Sequence, residues 1–333
     1  MSDIRNTSPR GEDFEPVPTA HGIDVEGGVG AGVATAPLPT EDKSYSQGQL
    51  VRRRFFHHRG AIISMIVLGV IVLVAFSSIG IGPIPGWWDK NPTLQYEKVG
   101  TGAPTWAHPF GQDTIGKDYF ALVMLGTQKS IIIALGVGLI STVIGTVVGA
   151  LAGYFRGWVE SLLMRLTDLL IVIPLLVLAA VLGKMASQWG IWGLTVMLGI
   201  VSWTGLARLV RGEVLSLRER DFVVAATAVG TGSNRIIFKH ILPNAVGTII
   251  VSATLTISSA ILLETSLSFL GFGVQAPDTS LGLLISQYQT AFTTRPWLFW
   301  WPGLMILAIA LCVNFIGDGL RDAFDPRQNR TKA

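Results

Sequence analysis

Half of the 333 residues are hydrophobic, only 14% are charged, and mean hydropathy is +0.51, which excludes an ordinary soluble domain and points to an integral membrane protein. The single cysteine, Cys312, lies in an apolar run and reads as a small buried hydrophobe; one cysteine excludes an intramolecular disulfide and a cysteine metal cluster. The net charge of +3 comes from basic residues beside apolar runs, not from a stripe interleaved with aromatics, so nucleic acid is not an expected partner.

Residues 1–59 are polar, rich in Gly and Pro, and lack a clear period; they read as a disordered tail that ends in a basic anchor, Arg52-Arg53-Arg54 and Arg59, attracted to anionic lipid. The first apolar run starts near Ala61, too late for a secretory signal peptide. A membrane-spanning helix needs about 20 apolar residues. Six such spans are expected, at roughly 60–82, 128–153, 161–183, 190–211, 245–270 and 297–318. The expected fold is therefore all-α with six transmembrane helices. Its parts are a first span, a segment at 83–127 rich in Pro and Trp, and a core over 128–320. The core contains a polar connector at 220–244, and a tail follows over 321–333. The stretch between the fifth and sixth spans has room for a short interfacial helix.

Orientation follows from the basic residues near span ends. With the N-terminus inside, nineteen of the 25 Lys and Arg residues face the cytoplasm and six (Lys90, Lys98, Lys117, Lys129, Lys184 and Arg295) face outward. Both termini and the 220–244 connector are then cytoplasmic, and 83–127 is extracytoplasmic.

Several residues within the spans stand out. Ser141, Gly145, Gly149 and Gly153 recur at every fourth position, a pattern that lets a second helix approach closely. Asp168 sits three residues after Arg165, so a local ion pair is expected, and Pro174 should bend the third span. Thr248, Ser252, Thr256 and Ser259 fall within about 80° on one helix face, a polar stripe able to line a path or to bond a neighbouring helix. Glu264 falls about 160° round from the start of that stripe; a carboxylate there must face protein or water, and a structural role bonded to Ser or Thr is expected. None of the five histidines has metal-ligand spacing, and the His57-His58 pair reads as a solvated face. No phosphate-binding loop and no acid/base constellation is found, so no catalytic, cofactor-binding or metal residue is expected in this chain.

The connector reads VVAATAVGTGSNRIIFKHILPN, Val223 to Asn244. Two short helices separated at Gly230 are expected, with Pro243 ending the second or turning it into the fifth span. Such a knob can transmit force from a cytoplasmic partner; an ordinary amphipathic connector is the equal alternative from the residues alone.

The connector resembles the cytoplasmic EAA loop of ABC-importer permeases: Ala225-Ala226, Gly230 and Leu242-Pro243 keep its register, with Val224 in place of its Glu and His240 in place of its Ile. HPFGQDTIGKDYFALVMLG (His108–Gly126), LETSLSFLGFGVQAP (Leu263–Pro277) and NFIGDGLRDAFDPR (Asn314–Arg327) resemble segments of the peptide-importer branch. Across about 52–327 the chain is similar to the C-type permease subunit of dipeptide/oligopeptide importers. The resemblance implies a type I importer permease (MetI-like) fold in a prokaryotic inner or plasma membrane. It implies a homologous B-type permease as partner, two ATPase domains on one or two further chains that hold ATP and Mg, and an extracytoplasmic peptide-binding lipoprotein. Ala225, Ala226, Gly230, Leu242 and Pro243 would couple the ATPases to the path, and 83–127 with 271–296 would receive the binding protein. The same machine importing nickel, haem, glutathione or opines is the nearest alternative. An ATP-independent secondary transporter is the alternative of another class; it would show inverted repeats or paired intramembrane charges.

Overall fold

The structure, a computed structural model, describes residues 47–325. The tail expected over 1–46 and the chain end beyond 325 lie outside the described residues. Within them, however, the tail is not structureless: Gln47–Phe55 forms helix α1. A nine-residue helix is marginal alone, and this one leans on the end of the last helix. Arg54 Nη1 donates to the Asp325 carbonyl at 3.0 Å, and the Phe55 ring lies beside Gly319.

Helix α2 spans Arg59–Ile79. His58 caps it, accepting from the Ala61 amide at 3.1 Å, and its Nε2 lies 3.5 Å from Asp322. His58 is thus a capping residue, not part of a solvated face, because the start of α2 needs an acceptor. A two-residue ribbon follows, β1 (Gly80–Ile81) against β2 (Ile84–Pro85).

Helix α3 runs from Tyr119 to Phe155, 37 residues or about 55 Å, well beyond a hydrocarbon core of about 30 Å. It starts nine residues before the expected span, because Asp118 caps it by accepting from the Ala121 amide at 2.8 Å. Its Phe155 end packs on helix α7 (Thr204–Arg218), and the glycine stripe sets the spacing. A Cβ on Gly149 would lie 2.5 Å from the Ala207 carbonyl, and one on Gly153 would lie 2.9 Å from the Arg211 carbonyl. The two backbones touch as the stripe predicts.

Between them, helix α4 (Gly157–Val172) and helix α5 (Leu175–Ala186) meet at an 89° bend. Pro174 lacks the N–H to continue α4, and Ile173 before it is extended (φ −79°, ψ 126°). Helix α6 (Gly190–Val201) and α7 bend by 41° at Ser202-Trp203. Among the described residues four unbroken helices are long and apolar enough to cross a membrane, and counting each bent pair as one span gives six.

The pairing expected for Asp168 is overturned. Asp168 Oδ1 accepts from Arg208 Nη2 at 2.5 Å, across to α7, and Arg165 is not its partner. Glu160 likewise pairs with Arg211 (Nε at 2.8 Å), and Arg156 Nη2 with Glu219 at 2.6 Å. The antiparallel packing of α4 on α7 brings opposite charges into register, and a cross-helix partner displaces the local one. Both side chains of the Asp168–Arg208 pair are about half exposed, so a coupling of at most about 1 kcal/mol is expected from an Asp168→Asn/Arg208→Ala cycle. The same cycle with Arg165→Ala should read near zero in detergent unfolding.

Helix α8 (Asp221–Ala228) and helix α9 (Ser233–Arg235) lead into a π-helical turn, Ile236–Ile241, and on into helix α10, Leu242–Phe269. Of the two roles expected for Pro243, ending the second helix or turning it into the fifth span, the structure shows the second: the helical run continues from Ser233 through Pro243 to Phe269. The wide π turn just before Pro243 absorbs the missing N–H. Helix α11 (Leu281–Tyr288) is the short helix expected after the fifth span. Helix α12 runs from Trp297 to Phe324, so the first residues of the expected C-terminal tail continue the last span.

Two apolar clusters form the core. The larger joins α3, α10, α11 and α12 towards the Tyr119 end of α3. The smaller lies near the Phe155 end and contains Ala150, Val210, Val214, Val223, Ile236 and Ile241.

Candidate functional site

The smaller cluster explains how the connector holds a fixed shape. Val223 is the buried residue of α8, 1% exposed, and sits with Ile236, Ile237 and Ile241 against Val210 and Val214 of α7. Asp221 in the first turn of α8 complements its helix dipole.

The end of α8 is a Schellman cap. The Thr231 amide donates to the Ala226 carbonyl at 3.0 Å and the Gly230 amide to the Thr227 carbonyl at 2.9 Å. This closure needs a left-handed residue, and Gly230 has φ +82°. A Cβ there would meet nothing within 4 Å, so the demand on Gly230 is conformational and not steric. Gly232 then starts the next helix, its carbonyl accepting from the Ile236 amide at 3.1 Å.

The result is an open groove of about 600 Å³ lined by Ala225, Ala226, Val229, Gly230, Thr231, Arg235 and His240. Three of the five expected coupling positions, Ala225, Ala226 and Gly230, line this groove. Ala225 and Gly230 are exposed, Ala226 is half-buried, and Val229 beside them is 86% exposed. Leu242 is half-buried and Pro243 exposed at the first turn of α10; neither lines the groove. The sequence reading missed Thr231 and Arg235, whose place depends on the cap geometry.

Residues 145–330 match the family described as binding-protein-dependent transport system inner membrane component, and residues 46–91 match the N-terminal transmembrane domain of oligopeptide transport permease C. The chain belongs to this permease family. It is 40% identical over 286 residues to the oligopeptide transport system permease protein OppC of Mycobacterium tuberculosis, covering 84% of this chain and 95% of the relative. It is 38% identical over 287 residues to OppC of Escherichia coli, covering 86% and 93%. A chain from the structure described as inward-facing conformations of the MetNI methionine ABC transporter superposes with TM-score 0.51 at 19% identity, over 61% of this chain and 97% of that one; this shows a shared fold.

In the permease, the polar stripe of α10 is only partly covered. Thr248, Ser252 and Thr256 are half-buried and Ser259 is exposed. Thr256 donates to the Ser252 carbonyl of its own helix at 2.9 Å, and none of the four bonds another helix among the described residues. The cross-helix bond on α10 comes instead from Ser258, whose Oγ donates to the Ala310 carbonyl of α12 at 3.2 Å.

Glu264 is fully buried and joins three parts of the permease. Ser130 of α3 donates to Oε2 at 3.1 Å, and Ser268 donates to Oε1 at 2.7 Å. The same hydroxyls accept from the chain beyond α10: Ser130 from the Leu281 amide at 3.2 Å and Ser268 from the Val274 amide at 3.0 Å. The carboxylate thus orients two hydroxyls whose lone pairs hold the α10–α11 loop. Glu264→Gln places an NH₂ where one hydroxyl must donate, and a loss of about 1–2 kcal/mol is expected. Glu264→Ala orphans both hydroxyls and opens a cavity, with an expected loss of about 2–5 kcal/mol, read as the unfolding midpoint in detergent.

Proposed function

We propose that this permease is the C-type subunit of an importer of di- and oligopeptides. In this reading it pairs with a homologous B-type permease to enclose one path, with the termini and the α8–α9 connector on the cytoplasmic side. ATP and Mg are held by two ATPase domains on one or two separate chains, which dock on the connector. An extracytoplasmic peptide-binding lipoprotein delivers cargo. This chain binds no cofactor and catalyses no reaction; Thr248, Ser252, Thr256 and Ser259 line the path.

The observation that carries this reading is the groove beside Gly230. An eight-residue helix with one buried residue and a Schellman cap is poorly designed as a simple linker, because a linker has no need to expose Ala225, Val229 and Gly230 on a rigid frame. It is well suited as a socket face: small side chains allow close approach, and anchorage to α7 and α10 passes a displacement into two bent or long spans. Relatives called oligopeptide permeases at 38–40% identity support peptide as cargo.

The test is uptake by the complex purified from its native membrane and reconstituted in liposomes. ATP-dependent accumulation of a labelled tetrapeptide, competed by unlabelled peptides and not by nickel, haem, glutathione or an opine, is expected. Accumulation of solute by this chain alone without ATP would sink the reading.

A further inference from the structure

The segment between α2 and α3 is built around its own polar side chains. Gln112, 1% exposed, accepts from the Val99 amide at 2.9 Å and donates to the Glu97 carbonyl at 3.1 Å. Asp113 accepts from the amides of Ile115 (2.9 Å) and Lys117 (2.8 Å) through Oδ1, and from the Tyr288 hydroxyl at 3.0 Å through Oδ2. Burial, with the Asp113 carboxylate beside it, pushes the Tyr288 phenol above its ordinary value. Its contribution to stability is full below about pH 10 and is lost only as pH rises through the folded value, so the bond persists through the neutral range. Asp118 bonds His108 Nδ1 at 2.7 Å, the Trp88 indole N–H at 3.0 Å and the start of α3. Phe110 stacks on Trp301 of α12 with ring centres 3.9 Å apart. The lobe is therefore locked onto the Tyr119 end of the bundle.

That frame holds up one residue. Thr105 and His108 exchange both backbone hydrogen bonds, at 2.9 and 3.1 Å, which closes a tight turn with Trp106 and Ala107 at its tip. His108 is fixed in turn by buried Asp118. Trp106 is completely exposed, at 102%, and its indole N–H has no partner among the described residues. Pro104, Ala107 and Pro109 around it are exposed as well. A large apolar side chain raised on a preformed turn loses little conformational entropy on binding, which is the character of an interface anchor.

We propose that Trp106 is the anchor by which the cargo-delivering protein docks on this chain. The inference rests on the proposed function, which places the lobe outside the membrane. The chemistry favours a protein occupant over lipid. Both tryptophans near the end of α2 have partners for their indole N–H groups: Trp88 donates to buried Asp118, and Trp87, 61% exposed, donates to Ser77 Oγ at 3.1 Å. Trp106 belongs to a segment in which Glu97, Lys98 and Thr101 are exposed as well. An exposed aromatic on a segment that also carries exposed charges suits a protein interface, whose rim stays wet; immersion of that segment in acyl chains would strip those charges of water.

The test uses the assembled importer in nanodiscs, titrated with the binding protein recovered with it, and reads stimulation of ATP hydrolysis. Trp106→Ala is expected to raise the half-saturating concentration of binding protein about 10-fold or more, with basal rate and plateau unchanged. Trp106→Phe should keep most of the affinity. If the wild-type complex is stimulated and Trp106→Ala titrates identically, the docking role is overturned while the importer reading stands. Stronger quenching of wild-type than of Trp106→Phe fluorescence by bromine-tailed lipid, with normal stimulation in both, overturns it in favour of a lipid anchor. A wild-type complex that no binding protein stimulates overturns both.

Discussion

Gly230→Val is expected to leave the bundle folded and to cut ATP-driven uptake at least about 10-fold, with loss of transport-coupled ATP hydrolysis. Gly230 sits at φ +82° in open space, so valine meets no neighbour. Its cost is local: a left-handed conformation is unfavourable by about 1–2 kcal/mol for an ordinary residue and worse for a β-branched one. The chain escapes by abandoning the Schellman cap, which releases the Thr231–Ala226 and Gly230–Thr227 bonds and redirects the entry into Ser233. Because Val223 is the buried residue of α8, the connector gives way before the bundle does. A shift of about 1.4 kcal/mol already changes the ratio of loop conformers tenfold. Gly230→Asn is the control, since asparagine tolerates the left-handed region, and it should retain most activity. A Gly230→Val complex with normal coupling would show that the groove is not the transmitting surface.

The second large effect is on folding. Gly149→Leu would place a Cβ 2.5 Å from the Ala207 carbonyl and 2.8 Å from Val210 Cβ, both parts of α7 that cannot swing aside. Helices α3 and α7 must separate, which opens the cluster around Ala150, Val210 and Val214 that supports the connector. Overpacking of about 1–3 kcal/mol is expected, with the unfolding midpoint in detergent falling by roughly 2–4 °C. Gly212→Leu on α7 is the matched control: its Cβ would meet nothing within 4 Å, and no comparable fall is expected.

What the sequence makes legible is whatever local spacing dictates. Runs of apolar residues place the spans, because hydrocarbon thickness sets one length for all of them. Glycines at every fourth position announce the α3–α7 contact, and Gly230 between two short patterns announces a break in the connector. Where a distant partner decides, the sequence is silent. Helix α1 forms because α12 lies beneath it, which no window over 47–55 reveals. Asp168 prefers Arg208, 40 residues away, to Arg165 on its own helix. Glu264 reads as a carboxylate needing partners, but Ser130, one of the two, is 134 residues distant. Whether Pro243 ends a helix or leads it into the fifth span is decided by the π turn ahead of it, which propensity does not reveal. Asp118 is legible: an aspartate just before an apolar run is an ordinary helix-start signal, and it caps α3.

The importer account turns on whether the connector touches an ATPase. The chain has a single cysteine, buried Cys312, so Val229→Cys introduces the one accessible thiol beside the groove. Native membranes carrying that variant are treated with a short heterobifunctional reagent, thiol-reactive at one end and photoactivated at the other, and the adducts are identified by mass spectrometry. A covalent adduct with a nucleotide-hydrolysing chain, lost in the Gly230→Val background, is the expected result. Adducts with no such chain, in membranes where the complex still drives ATP-dependent uptake, would contradict the coupling role of this surface.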